Sequence, residues 1–310
     1  MVAVLREAGV YTRVLSPLSV GMPGLPRGGR ASPWGYWDER LRWWSATTPS
    51  RGVRRARGWI ARRATARREA RRGDLLQVFE AALDQRPGVV LVSTYLMHHG
   101  LIVELAALAA ARGTPFIVGG PAFSHPEVRA EWLRIQGLTA LVAAECETIL
   151  PELVRAAARG QDLTRFPGVA TPARPRVETA PPLADLDALP HPDYSDFPWE
   201  RYPNRVVSML AGRGCAWGHC TFCSDVLMVG GRGFRSRSPE RVLDELSHHW
   251  REYGARLFCF SDLKLNSSPA VWRALTERFP AEIPDPRWTA AVHVGPGDQG
   301  ITGTRSSWRP

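Results

Sequence analysis

The chain has 310 residues, 44% hydrophobic and 23% charged, a composition that excludes disorder throughout and leaves room for two domains, each with its own core. Its formal charge of +10 is local: residues 51–72 hold ten arginines and one glutamate, and the rest of the chain carries 30 basic and 29 acidic residues. A uniformly basic surface is thereby excluded, and no apolar run reaches the eighteen or so residues of a membrane span.

The opening VAVLREAGVYTRVLSP reads as an amphipathic helix stopped at Gly9, then a short strand through Val14 and Leu15. This is the middle of a βαβ unit without its first strand, so either the true start lies upstream or the chain is a shortened form. Arg6 and Glu7 interrupt the apolar residues too early for a secretory segment, and the cytoplasm is the expected location. Residues 17–50, rich in Pro, Gly and Trp without a period, are expected to be an insertion loop with some helix. The arginine tract is expected to form a helix with a solvated face, continuing into GDLLQVFEAALDQRP. Such a helix offers a surface to an acidic leader peptide, nucleic acid or anionic lipid. With Trp59 as the one aromatic in residues 51–72 it has no base-stacking platform, and neither nucleic acid nor membrane is an expected partner.

From Gly88 the pattern is regular. GVVLVST, TPFIVGGP and ALVAAE read as buried strands, alternating with helices at LIVELAALAAARG, PEVRAEWLRIQ and TILPELVRAAARG. Alternation of this length predicts an α/β fold with a Rossmann-like, doubly wound parallel sheet over residues 1–166. Residues 167–204 carry nine prolines and are expected to be an extended linker. A second series occupies 205–310: strand RVVSMLAG, a cysteine loop, a helix SPERVLDELSHHWREYG with Ser238 as cap and Gly254 as stop, strand RLFCFSD, helix SPAVWRALTERF and strand RWTAAVHV. These are expected to be three strands of an α/β barrel cut short.

Three of the five cysteines stand within nine positions, in GRGCAWGHCTFCSD. In a cytoplasmic chain such a cluster points to metal or redox chemistry and not to disulfides. Cys215, Cys220 and Cys223 form CxxxxCxxC, three thiolates that suit three irons of a [4Fe-4S] cluster and leave the fourth iron open. The rival is structural zinc with His219 as fourth ligand, although the paired knuckles of most such sites are missing. Cys146 and Cys259 fall on strand positions and read as core thiols.

The cysteine loop after a strand and before a βα series resembles the cluster loop of radical S-adenosylmethionine enzymes, with Phe222 at the aromatic position before the last cysteine and one extra residue in the first gap. PPLADLDALPHPDYSDF is similar to the linker that joins a cobalamin-binding domain to the radical domain in that superfamily, and FSDLKLNSSPAVWRAL to the second-strand region of members that modify ribosomally made peptides. The resemblance covers about residues 88–294. It implies S-adenosylmethionine on the open iron, cleaved by an electron donor to a 5′-deoxyadenosyl radical that acts on a peptide or small-molecule substrate. Asp262, Lys264 and Asn266, just past the second barrel strand, fall where barrel enzymes place active-site groups. It also implies cobalamin along the carboxyl ends of the first sheet, with Gly119 and Gly120 at the double glycine and Ser93 and Glu145 at the neighbouring strand ends. No DxHxxG is present to supply an axial histidine, His98 and His99 being merely near, and the family's glycine-rich turn is replaced by Ala144-Glu145-Cys146-Glu147.

The function implied is a radical enzyme with a [4Fe-4S] cluster, S-adenosylmethionine and cobalamin, performing methyl transfer or a related modification. Two alternatives are a noncatalytic iron-sulfur or cobalamin module, which an incomplete barrel favours, and a zinc-stabilised nucleic-acid-binding protein.

Overall fold

The computed structural model describes residues 1–16, 40, 43–44, 47–48, 50–178, 180–202, 204–221, 223 and 233–293. Phe222 and most of the expected insertion at 17–50 lie outside the described residues. The chain divides into two compact units, Met1–Val14 with Arg86–Pro310, and Leu15–Gln85.

The smaller unit contains the arginine tract, which forms one helix with the segment that follows it. Helix α2, Arg51–Leu83, starts where the Ser50 hydroxyl accepts from the Val53 amide at 3.5 Å. Arg51, Arg55, Arg57, Arg62 and Arg63 are exposed, and the Arg63 guanidinium lies 4.2 Å above the Trp59 ring. A buried stripe develops toward its C-terminal end, at Leu75, Phe79 and Leu83, four residues apart.

The larger unit opens with α1, Val2–Glu7. The residues after Gly9 form no strand: Val10–Ser16 have no regular structure, against the expectation for Val14 and Leu15. The segment is held by side chains, the Val14 amide donating to Asp196 at 2.9 Å and Arg6 pairing with Asp193 at 2.6 Å. Three strands then pair in parallel, β1 (Val90–Ser93), β2 (Phe116–Gly119) and β3 (Ala140–Val142), with β4 (Val169–Ala170) antiparallel at the edge. Among the described strands the order is sequential, without the reversal that marks a switch point. Helices α3 (His99–Ala111), α4 (Pro126–Trp132) and α5 (Leu150–Ala158) make the connections. Ile117, Ala140, Val142, Leu153 and Val169 form a core between the sheet and α5, packed by the half-buried Cys146.

The second sheet is parallel throughout, β5 (Val206–Met209), then β8 (Leu257–Phe260), then β9 (Arg287–Ala290). Helices α6 (Pro239–Tyr253) and α7 (Pro269–Glu277) connect them. Ser238 caps α6 by accepting from the Arg241 amide at 3.2 Å, and Gly254 ends it at φ 63°, as read from the sequence. One face of this sheet is core: Val207, Met209, Phe258 and Phe260 meet Val242, Leu246, Val271 and Leu275. The period of two sends Ser208 and Cys259 to the other face. Cys259 is therefore half-buried opposite the core and not within it.

The proline-rich segment is extended and pinned along its length. Leu186 is buried, the Asp187 carboxylate accepts from the Ser238 amide at 3.0 and 3.1 Å, and His191 bridges Asp244 and Glu245 of α6 at 2.9 and 3.3 Å.

Candidate functional site

Between β5 and α6 the chain forms an antiparallel hairpin, β6 (Gly212–Cys215) paired with β7 (Gly233–Ser236), that the sequence did not announce. It carries the first cysteine on a strand, opposite Gly233. The glycines of GRGC follow from this pairing. A Cβ on Gly212 would stand 2.7 Å from the Phe234 ring, and one on Gly214, at φ 86°, would collide with the Gly233 carbonyl oxygen. Beyond Cys215 the chain turns through Gly218 at φ 59°, with the Trp217 and His219 rings edge to face at 5.4 Å, and the Cys223 amide donates to the Cys220 carbonyl at 3.4 Å.

All three thiols are half-buried. Among the described residues no three His, Cys, Asp or Glu side chains are gathered closely enough to hold a metal ion. The donor set itself suits a cluster: three soft thiols follow one another on a single loop, with no fourth cysteine in GRGCAWGHCTFCSD. Loops of this kind commonly close on their metal as it binds.

Two carboxylates expected at ligand-binding positions are engaged by the protein itself, and both act on the hairpin. Asp262, buried at the end of β8, accepts from the Ala211 amide at 3.0 and 3.1 Å and from the Gly212 amide at 2.7 Å, fixing the start of β6. Burial pushes its carboxyl above the usual range, against the pull of these amides. Glu145, in the turn after β3, receives the Arg235 guanidinium as a fork at 2.7 and 2.8 Å, the Leu183 amide at 2.8 Å and Arg213 at 3.4 Å. Burial raises its carboxyl, but Arg235, the Leu183 amide and Arg213 outweigh burial and hold it below the usual range. Glu147 pairs with Arg213 at 2.6 Å. Its second oxygen is buried without a hydrogen-bond partner among the described residues.

Asn266 is likewise in use, donating to the His293 carbonyl at 2.8 Å and accepting from the His293 amide at 3.0 Å, so that it ties the turn after β8 to the chain after β9. Lys264 stands half-buried at the start of the same turn. At the carboxyl edge of the first sheet Ser93 is exposed, in register with Gly119. Gly119 has room, its added Cβ meeting Val142 at 3.8 Å, whereas a Cβ on Gly120 would collide with the Thr94 carbonyl oxygen. The need for glycine at 120 thus comes from the chain's own backbone. His99 packs edge-on against Trp132 at 5.0 Å, and His98 is exposed. Tyr95, Leu96 and Met97, directly after this edge, are 63, 46 and 74% exposed.

Arg213, Arg235 and Glu147 escape a reading of the sequence, because their partners lie 66 and 90 residues away in the chain and no local period marks them.

No family model matches the chain. Among curated proteins it is 30% identical over 214 residues to an uncharacterised methyltransferase of Pyrococcus horikoshii, covering 66% of this chain and 45% of that protein. It is 30% identical to the anaerobic magnesium-protoporphyrin IX monomethyl ester cyclase of Rubrivivax gelatinosus, covering 52% and 29%, and 25% identical to the bacteriochlorophyllide d C-12(1)-methyltransferase of Chlorobaculum tepidum, covering 66% and 42%. Its fold matches that of the radical S-adenosylmethionine methyltransferase TsrM of Kitasatospora setae with a TM-score of 0.53 at 22% identity, over 67% of this chain and 44% of that one. The chain is thus similar in sequence to methyltransferases and in fold to a radical S-adenosylmethionine methyltransferase. TsrM has been solved with tryptophan substrate and a S-adenosylmethionine analogue, and with cobalamin and a [4Fe-4S] cluster. The chain spans less than half the length of these relatives.

Proposed function

We propose that this chain acts in a radical S-adenosylmethionine enzyme of the methyltransferase type. Cys215, Cys220 and Cys223 hold a [4Fe-4S] cluster, S-adenosylmethionine takes the iron left without a protein ligand, and cobalamin lies at the carboxyl edge of the first sheet, beside Ser93 and Gly119. In this reading residues 1–166 are the Rossmann-like cobalamin-binding-type domain, its described strands in sequential order, 167–204 the linker and 205–310 the barrel portion. The methyl acceptor is a peptide or small molecule, the reductant comes from a separate electron donor, and the cytoplasm is the compartment.

The observation that carries the reading is the three-thiol loop, entered from a strand whose glycines Gly212 and Gly214 leave no space for a side chain. The exposed run Tyr95-Leu96-Met97 supports a ligand at the neighbouring edge, since three consecutive apolar side chains facing water are costly unless something covers them. When bound, the cluster supplies electrons one at a time and cobalamin carries the methyl group. The protein's part is to hold and orient. Asp262 fixes the entry to the hairpin, Asn266 fixes the turn beyond β8, and Ser208 and Cys259 stand in register on the face of the second sheet away from its core.

The test is turnover by the anaerobically reconstituted full chain with S-adenosylmethionine, cobalamin and a chemical reductant, with 5′-deoxyadenosine and S-adenosylhomocysteine both quantified. Consumption of S-adenosylmethionine that falls at least a hundredfold in Cys220→Ala is expected. No consumption by the fully loaded protein would contradict the reading.

A further inference from the structure

Two arginines on the cysteine hairpin face each other, and the strands carrying them are poorly suited to pair. Arg213 of β6 stands directly opposite Arg235 of β7. Like charges at directly opposed positions work against an antiparallel pair. Two of the four residues of β6 are glycines, and an isolated two-stranded hairpin is marginal even with good strand formers. The loop that the hairpin closes, residues 216–232, adds the entropy of closure. The hairpin sequence does not account for its own stability.

Asp262 fixes only the start of β6; what sets the two arginines side by side comes from the turn after β3. The Glu145 carboxylate stands between the two guanidiniums, forked onto Arg235 at 2.7 and 2.8 Å and 3.4 Å from Arg213, while Glu147 takes the other side of Arg213 at 2.6 Å. Leu183 closes the group through its backbone, its amide donating to Glu145 and its carbonyl accepting from Arg235. Two positive and two negative charges cancel, and the Glu145 side chain is only 7% exposed. Removing one partner from such a group leaves another charge buried without compensation.

We propose that Glu145 and Glu147 are positioning residues for the cysteine loop: they hold Arg213 and Arg235 side by side, and only then do β6 and β7 pair and fix Cys215. The carboxyl edge of the first sheet thereby controls whether the thiol donors are presented. The consequence for the cluster rests on the function proposed above; the consequence for the hairpin does not.

Hydrogen exchange on the full chain, read at the amides of 212–215 and 233–236, tests the hairpin. Glu145→Gln keeps the side chain's shape and removes its charge, and exchange at these amides should accelerate at least tenfold while β1, β2, β5 and β8 remain protected. Glu145→Gln with Arg235→Gln removes the facing charges and leaves the Arg213–Glu147 pair, and should recover most of the lost protection. Unchanged exchange in the single variant, or a double variant no better protected than the single one, would overturn the proposal. If Glu145→Gln unfolds the whole chain, Glu147→Gln reports in its place, with the same direction and smaller size expected and no change overturning the claim. Iron content and the electron paramagnetic resonance signal after reconstitution separate the two ideas. A wild-type chain that takes no iron while its hairpin responds as expected sinks the cluster reading alone. Equal iron and an identical signal in wild type and Glu145→Gln sink the positioning role.

Discussion

Gly119 and Gly120 look alike in the sequence and differ in what surrounds them. A side chain at 120 meets the Thr94 carbonyl, part of the backbone leaving β1, and one at 119 meets only the Val142 side chain at ordinary contact distance. Gly120→Ala should therefore lower stability by about 1–3 kcal/mol, and Gly119→Ala by much less, as read from urea unfolding midpoints. Equal losses would mean that the backbone approach at Thr94 is not what requires glycine. Cysteine chemistry separates in the same way. Burial, followed by the charge of Glu147, pushes the Cys146 thiol up to about 11. At pH 8 in the chain without metal, alkylation should label Cys215, Cys220 and Cys223 well before Cys146, and peptide mapping that finds Cys146 labelled first would contradict its protected placement. The three cysteines were legible because their spacing is local. The partners of Glu145 and Asp262 were not, since only the folded chain brings Arg235 and the Ala211 amide to those carboxylates.

At the scale of elements, periodicity located β1, β2, β3, β5, β8 and β9 and the helices between them, where apolar residues recur at the spacing each element needs. It failed at β6 and β7, which have no buried alternation and are defined by pairing and by charged clamps. It also failed at Val14 and Leu15, where apolar residues suggested a strand but ion pairs hold an irregular segment. That anchor titrates. Burial opposes ionisation of Asp193, but Arg6 and the Ser195 amide and hydroxyl outweigh it and bring the carboxyl down to about 2. A depressed carboxylate contributes fully above its unfolded value near 4 and loses its contribution as pH falls toward the folded value. The stability difference between the protein and Asp193→Asn should be on the order of 1 kcal/mol at pH 6. It should shrink to nothing between about pH 4 and pH 2. A difference that persists at pH 2, measured by denaturant unfolding, would show that the ion pair is not its source.

At the scale of the molecule, the first sheet and the cysteine hairpin meet through Glu145 and Glu147, and the hairpin meets the second sheet through Asp262. Cys215 therefore lies on an element held from two sheets, and the ligand edge inferred for the first sheet ends in the turn that holds it. Sequence alternation announced both sheets, while their junction depended on long-range charge pairs that no local pattern carries. The measurement that bears most directly on the cluster is iron and sulfide analysis with electron paramagnetic resonance on the reconstituted, reduced chain, before and after adding S-adenosylmethionine. About four irons per chain are expected. A reduced-cluster signal that S-adenosylmethionine shifts and Cys220→Ala abolishes is expected with them. One zinc per chain with no iron, or a cluster signal indifferent to S-adenosylmethionine, would contradict an open iron held by three cysteines.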